Sequence, residues 1–302
     1  MLHERGPSGF PERRSRKPEV KKLSISDILS YINHKTKQRH GGTRELITLG
    51  EMYGTEHFCL FLHSLIKLEK PRVVVELGTG SGGTAALCGL AVKELGRGHV
   101  WTVDDGAEWH QTRDDAQGAL GYTAPDETHA AFMKKFLRRF ALEKYVTCSS
   151  KRMTEQDFFS PGKPIDILFA DAQSSSAIGC LHLLRYYLAK MSTHSSIFID
   201  RASTINHAAL FLNYLVGQLQ AGKIPGELRT GTPPATLRRL QHLVETSKFT
   251  IIHLTEPRYR KSNEMQNSRA WIKIEPNHFL FRDEVDSYIG SNKAVKVRYS
   301  GK

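Results

Sequence analysis

Residues 73–84 read VVVELGTGSGGT, and this stretch decides the fold of the chain. Val73, Val74 and Val75 form a short apolar run, which is typical of a strand buried on both faces of a parallel sheet. The turn that follows contains Gly78, Gly80, Gly82 and Gly83, and the helix-like run AALCGLAVKEL comes next. Glycine lets the backbone turn sharply beside a ligand, and the first N–H groups of a helix can bind a polar or negative group. The stretch therefore predicts a strand, a ligand-binding turn and a helix.

The glycine spacing alone fits two kinds of nucleotide-binding turn. Gly78, Gly80 and Gly83 match the dinucleotide pattern GxGxxG, whereas Gly78, Gly80 and Gly82 match GxGxG. An acid, Glu76, stands two residues before the first glycine. Its carboxylate would repel a pyrophosphate but would suit the ammonium group of a methionine moiety. ELGTGSGG therefore resembles the first motif of class I S-adenosylmethionine (SAM) methyltransferases more closely than an NAD-binding turn.

The rest of the chain alternates strand-like and helix-like segments. Further strands are predicted at 99–105, 145–150, 164–172 and 195–203. We expect an α/β fold with a doubly wound, mostly parallel Rossmann-like sheet. The runs FTIIHLTEP and RAWIKIEP near the end predict an antiparallel pair at one sheet edge. A reversed final strand is typical of the class I methyltransferase fold, which the chain resembles from about Gly50 to Pro276.

Composition divides the chain into four parts. We expect a disordered basic tail at 1–22, a helical extension or cap at 23–70, a SAM-binding catalytic domain at 71–276 and a polar tail at 277–302. A polar loop is predicted at 36–46. Residues 106–127 form an unusually long predicted connection, in which Trp109 and Tyr122 either cover a substrate or fix the loop to the body.

The length, hydrophobicity, cysteine content and net charge of the sequence restrict the class of protein. The 302 residues include no apolar run near the ~20 that cross a bilayer. The first residues also lack the apolar block of a signal peptide, so we expect a cytoplasmic protein with no membrane partner. The four cysteines lie far apart and are predicted to be buried free thiols. The net charge of +12 is scattered, which favours a small-molecule partner over nucleic acid. Whether the chain forms a homo-oligomer is left open.

Acidic residues stand at the predicted ends of four strands. They are Glu76, Asp104, Asp171 and Asp200. Parallel doubly wound sheets bind ligands beyond the carboxyl ends of their strands, so these acids predict a site. Asp104, or its neighbour Asp105, would accept hydrogen bonds from ribose hydroxyls of a nucleoside.

Within class I, the chain most resembles catechol O-methyltransferase-like small-molecule enzymes. The segment LGEMYGTEHF, residues 49–58, is similar to the segment that lines SAM and substrate in that family. The resemblance implies that Met52 and Tyr53 lie near the methyl donor and that Arg152, between Lys151 and Met153, lies on the adenine side. It also implies a cofactor-binding set of Glu76, Gly78, Thr79, Gly80, Gly82, Thr84, Asp104, Asp105 and Asp171.

The same resemblance assigns the chemistry to the last two strand ends. Asp171 and Asp200 match two metal-binding acids, which would bind Mg²⁺ through oxygen ligands. The family's next ligand, an Asn, is Arg201 here, and its lysine base is Ser174. Arg201 places a positive charge where the ion would lie, so we expect a site without metal. Asp171 and Asp200 would then orient or deprotonate the acceptor, and Arg201 would bind its carboxylate or phosphate.

Four histidines are further candidates for a base near neutral pH: His57, His110, His194 and His207. All are predicted near the carboxyl edge of the sheet. His57 and His110 are preferred because they flank the cofactor segment and the long connection.

The sequence therefore predicts a SAM-dependent methyltransferase that acts on a small molecule, with a hydroxyl oxygen as acceptor. The alternatives are an RNA- or protein-directed methyltransferase, a catalytically silent SAM-binding scaffold and, more distantly, an NAD-dependent dehydrogenase.

Overall fold

The computed structural model describes residues 24–40, 43–48, 56–151, 159–171, 176–203, 206–255 and 268–277. The first elements are α1 (Ile25–Ile32) and an antiparallel hairpin of β1 (Lys35–His40) and β2 (Thr43–Thr48). The prediction of a polar loop at 36–46 is wrong. Backbone pairing from Lys35 with Thr48 to His40 with Thr43 forms this hairpin, although its sequence lacks apolar alternation.

The main sheet contains the remaining described strands. They are β3 (Val73–Leu77), β4 (His99–Val103), β5 (Val146–Ser149), β6 (Ile165–Ala170), β7 (Met191–Asp200), β8 (Ser247–Thr255) and β9 (Ser268–Pro276). Their order is β5-β4-β3-β6-β7-β9-β8. The first five are parallel, whereas β9 runs antiparallel to both β7 and β8. The predicted doubly wound, mostly parallel sheet with an antiparallel C-terminal hairpin is confirmed.

Helices cover both faces of this sheet. They are α2 (Glu56–Glu69), α3 (Gly83–Leu95), α4 (Trp109–Ala119), α5 (His129–Arg139), α6 (Ala177–Tyr187), α7 (Asn206–Gln220), α8 (Gly226–Arg229) and α9 (Pro234–Thr246). A 3₁₀ turn, Leu188–Lys190, joins α6 to β7. Val74 packs with the α1–α5 side and its neighbours Val73 and Val75 with the α6–α9 side. Successive strand residues therefore build two separate cores, as expected of a strand buried on both faces.

The connection at 106–127 is not the open loop that the sequence predicts. Residues 109–119 form α4, whose Trp109, Thr112 and Ala116 are buried at helical spacing. Trp109 Nε1 donates to the Glu127 carbonyl oxygen at 2.8 Å, and Tyr122 Oη donates to Glu127 Oε2 at 2.7 Å. Both aromatic side chains therefore fix this segment to itself and to the body.

The fifth predicted strand also starts earlier than expected, because β7 includes residues 191–194. No described helix has the length and hydropathy needed to cross a bilayer. The four-part division of the chain stays a prediction.

Candidate functional site

The glycine turn between β3 and α3 lies at the point where the strand order reverses. The chain winds outward from β3 through β4 to β5 and then returns to β6 on the other side of β3. Gly78, Gly80 and Gly82 have φ angles of 95°, 51° and 83°, a region that other residues rarely adopt. Gly78 N donates to the Val103 carbonyl oxygen at 2.9 Å. This bond places the turn over the ends of both β3 and β4.

Glu76 lies beneath this turn, and its side chain is almost completely enclosed, with 2% exposed. The Thr102 hydroxyl donates to Glu76 Oε2, and the Thr79 hydroxyl can in turn donate to Thr102. Burial raises the pKa of Glu76 to about 8, with a further increase from the charge of Asp104 and a decrease from the Thr102 hydrogen bond. The carboxyl group is therefore protonated near neutral pH until a cation lies beside it.

Asp104 faces the glycine turn from the end of β4. Its Oδ2 accepts from Gly80 N at 3.0 Å, and its Oδ1 accepts from Gly106 N at 2.8 Å. Asp105 instead is exposed, and its Oδ1 accepts from Ala107 N at 2.9 Å within its own turn. Of the two candidate ribose acids, Asp104 is the one that the structure brings to the glycine turn.

Two side chains that the sequence analysis missed hold the turn from outside. Tyr31, on α1, donates from Oη to the Ser81 carbonyl oxygen at 2.7 Å. His129, at the start of α5, donates from Nε2 to the Gly80 carbonyl oxygen at 2.9 Å, and its ring lies 5.3 Å from that of Trp109. Neither contact has a local sequence signal, because each joins the turn to an element about 50 residues away.

The second group of functional side chains follows β6 and β7. Asp171 comes directly after β6, and Asp200 is the last residue of the adjacent parallel strand β7. Their carboxyl groups hydrogen-bond to each other. Burial and the neighbouring Asp200 raise the pKa of Asp171 well above its usual range. Burial also raises the pKa of Asp200, while Arg269 and the bond from Asp171 lower it. Asp171 is therefore the proton donor of the pair.

Two guanidinium groups lie against Asp200. Arg269 Nε is 3.0 Å from Asp200 Oδ1, and Arg201 Nε donates to Asp200 Oδ2 at 3.3 Å. The Arg269 side chain is buried, whereas that of Arg201 is 40% exposed. Arg269 was missed by the sequence analysis. The sequence feature that could have identified Arg269 was the predicted antiparallel hairpin. Because β9 runs antiparallel to β7, the first residues of β9 lie beside the end of β7.

The other predicted positions have mixed surroundings. Thr84 is buried in α3, with its hydroxyl 3.5 Å from Cys59 Sγ. His57 is exposed near the start of α2, and His110 and His207 are exposed near the starts of α4 and α7. His194 does not face the carboxyl edge. It lies near the beginning of β7, where its Nε2 is 2.8 Å from Glu69 Oε2.

Some predicted positions lie outside the described residues. They are Met52, Tyr53, Arg152, Met153 and Ser174. Their roles stay predictions, as do the roles of the described site residues. The described part of the site comprises two adjacent groups, at the ends of β4 and β3 and at the ends of β6 and β7.

Within the described part of the chain, the surroundings of the acid pair do not fit a divalent metal ion. Across the described ranges, no group of three or more His, Cys, Asp or Glu side chains is arranged to hold one. Mg²⁺ needs several oxygen ligands in near-octahedral geometry. Here both oxygens of Asp200 already face guanidinium groups.

The strand order with its antiparallel last pair defines the class I methyltransferase fold. Among solved structures, the chain is similar to the O-methyltransferase TomG from Streptomyces achromogenes in complex with SAM, with 12% identity, a TM-score of 0.44, and coverage of 85% of this chain and 92% of that one. It is also similar to an O-methyltransferase from Bacillus cereus in complex with SAH, with 12% identity, a TM-score of 0.42, and coverage of 85% and 94%. The SAH-bound methyltransferase PaMTH1 from Podospora anserina is 13% identical, with a TM-score of 0.40 and coverage of 73% and 79%.

The sequence matches no protein-family model and no curated protein. At the identities and TM-scores given above, the similarities to solved structures do not bear on the chemistry of this chain. The fold assignment rests on the strand order itself.

Proposed function

We propose that this chain is a cytoplasmic class I SAM-dependent methyltransferase that transfers a methyl group to a hydroxyl oxygen of a small molecule. The observation that carries the proposal is the glycine turn at the switch point, with one acid buried beneath it and another facing it. Ligands of doubly wound sheets bind at this place. Glu76 and Asp104 supply the two carboxyl groups that a sulfonium nucleoside with an amino-acid tail would need.

The chemistry of these groups fits SAM. Asp104 binds two backbone N–H groups through different oxygens, and each carboxylate oxygen has a second lone pair for a ribose hydroxyl. Glu76 would lose its proton and pair with the ammonium group of the methionine part. A pyrophosphate, by contrast, would bring no cation to the buried Glu76 and would lie close to Asp104 at the same turn, which disfavours NAD. We also assign Met52, Tyr53 and Arg152 to cofactor contacts, as the family resemblance implies.

When bound, SAM supplies a methyl group that is already activated by its sulfonium charge. The chain then has to align the acceptor with that group and exclude water. We assign the acceptor-side work to the acid pair, with Asp200 as the carboxylate that accepts the hydroxyl proton or orients the hydroxyl. Arg201, which is partly exposed beside Asp200, would contact an anionic part of the acceptor. We keep His57, next to Phe58 near the start of α2, as a second candidate base.

The basic face of α5 supports a small-molecule acceptor rather than RNA. Lys135 Nζ is 2.5 Å from Glu127 Oε1, and Arg138 Nε is 3.2 Å from Glu143 Oε1. Arg139 donates to the Leu120 carbonyl oxygen at 2.6 Å. Local partners therefore neutralise or engage much of this charge.

The proposal is tested by methyl transfer from labelled SAM to a panel of hydroxylated small molecules, with Asp104→Asn as the cofactor-site variant. Asp114→Asn, an exposed acid on α4, is the matched control. We expect transfer to some acceptors, lost in the first variant and kept in the second. Tight SAM binding without transfer to any acceptor would support the scaffold reading. Transfer to RNA, with binding that weakens steeply with salt, would support the nucleic-acid alternative.

A further inference from the structure

We propose that Arg269 is a built-in cation of the acid site. Its guanidinium group takes the place beside Asp171 and Asp200 in which a divalent metal ion would bind, so the site binds no Mg²⁺ and the reaction needs none. The statement about the reaction rests on the function proposed above, whereas the statement about metal binding does not.

The backbone fixes the position of Arg269. In the antiparallel register, Arg269 of β9 pairs with Asp200 of β7 on one side and with Leu254 of β8 on the other. The Arg201 N–H also donates to the Ser268 carbonyl oxygen at 2.7 Å, which ties the end of β7 to the start of β9. The position of the ion pair is therefore set by strand pairing.

The Arg269 side chain is also fixed from below. Its guanidinium carbon lies 4.4 Å from the centre of the Phe58 ring, a distance typical of cation–π contacts. Phe58 packs in turn against Phe169 and Phe198, with ring centres 5.1 Å and 5.7 Å away. Only 2% of the Arg269 side chain is exposed. The Phe58 ring and the low exposure of the Arg269 side chain hold the guanidinium group in place beside Asp200.

Each oxygen of Asp200 lies close to a guanidinium group. Oδ1 faces Arg269, Oδ2 accepts from Arg201, and the Asp171 carboxyl bonds to the same group. A metal ion would have to replace at least one of these contacts. It would also bring two positive charges into a poorly solvated place beside two guanidinium groups, where repulsion is strong.

The backbone conformation at position 201 supports the same inference. Arg201 has a φ angle of 59°, in the left-handed region that Asn adopts more readily than other non-glycine residues. A cationic residue therefore stands at a backbone position that suits an amide ligand. Arg201 and Arg269 act on the same carboxylate, each through a different oxygen.

The test is calorimetric titration of the full chain with Mg²⁺ and with Mn²⁺. We expect no saturable site in the wild type. The double variant Arg201→Asn, Arg269→Gln leaves Asp171 and Asp200 beside two side-chain amides. In this variant we expect a single Mn²⁺ site that binds at least about tenfold more tightly than any site in the wild type, because the repelling charges are gone. A folded double variant that binds no Mn²⁺ would overturn the proposal.

A second comparison does not depend on the folding of the double variant. Stoichiometric Mg²⁺ binding to the wild type that is lost in Asp171→Asn would overturn the proposal. Equal absence of binding in both proteins supports it. SAM is titrated into the same samples, so failure of the cofactor proposal is seen separately as absence of SAM binding. For the reaction, transfer rates that are equal with Mg²⁺ and with EDTA support the proposal, and loss with EDTA that Mg²⁺ reverses contradicts it.

Discussion

Replacing Glu76 by glutamine should stabilise the folded protein, and the gain should grow as the pH rises. Glu76 is buried under the glycine turn, and burial raises its pKa to about 8 from an ordinary value of 4.5. Between these values the unfolded chain releases this proton while the folded chain keeps it. The free energy of unfolding therefore falls with pH across this window, in contrast to an acid whose pKa is lowered by folding.

The size of the effect follows from linkage. Each pH unit in this window removes about 1.4 kcal/mol of stability, so the buried acid costs about 3 kcal/mol at pH 7 and about 5 kcal/mol at pH 8 and above. Below pH 4.5 both states are protonated and the cost vanishes. Glutamine keeps the shape of the side chain and a hydrogen bond to Thr102 but cannot ionise. The variant therefore does not lose this free energy of unfolding as the pH rises.

Urea unfolding followed by tryptophan fluorescence at pH 5 and pH 8 would measure this difference. The gain in stability of Glu76→Gln over the wild type should be about 4 kcal/mol larger at pH 8 than at pH 5. Glu143→Gln, which alters an exposed acid beside Arg138, is the control and should show no such change. An equal gain at both pH values would contradict a raised pKa of Glu76, because the carboxyl group would then titrate normally in the folded state.

Four further substitutions test other contacts, with Gly121→Ala as the comparison for Gly106→Ala. Arg269→Met should cost about 3 kcal/mol in denaturant unfolding, because it removes the buried partner of Asp200; an unchanged midpoint would mean that the pair contributes nothing. His129→Phe should keep the packing of the ring but weaken SAM binding about fivefold, because the hydrogen bond to the glycine turn is lost; equal affinity would show that the turn holds itself. Gly106→Ala should cost about 2 kcal/mol, because its Cβ would lie 2.9 Å from the His129 Cβ at a φ of 70°. Gly121→Ala, with a φ of 78° and no atom within 4 Å, should cost about 1 kcal/mol in the same assay, and equal losses would contradict the tight contact at 106.

The sheet could be predicted because its strands carry the signal locally. Residues 73–75 and 167–170 are continuous apolar runs that are each followed by an acid, and both runs are buried because strands of a parallel sheet pack on both faces. The glycine turn was also readable, since positive φ angles at Gly78, Gly80 and Gly82 require residues without a side chain. The roles of Glu76 and Asp104 could be predicted from how far each residue lies from that turn along the chain.

The missed elements lack an apolar period. In α4, buried Gln117 donates from Nε2 to the Ala124 carbonyl oxygen at 2.9 Å and to Glu127 Oε2 at 2.9 Å. A polar sequence held by side-chain hydrogen bonds has no hydrophobic pattern to indicate a helix. The sequences of β1 and β2 also lack a hydrophobic pattern, and these strands are recognised by their backbone pairing.

The missed site residues depend on distant pairing. Arg269 meets Asp200 only through the register of β7 with β9, and His129 meets Gly80 only through the packing of α5 on the turn. Neither register nor helix packing is encoded near the residue itself. For Arg269, however, the antiparallel hairpin limits the candidate partners of Asp200 to the first residues of β9. These residues include one arginine, next to the first residue of the strand.

Calorimetric titration of the full chain with SAM tests directly whether the glycine turn binds this cofactor. We expect one saturable site per chain, binding that is much weaker in Asp104→Asn but unchanged in Asp114→Asn, and no comparable site for NAD. Absence of SAM binding, or preferential binding of NAD, would contradict it.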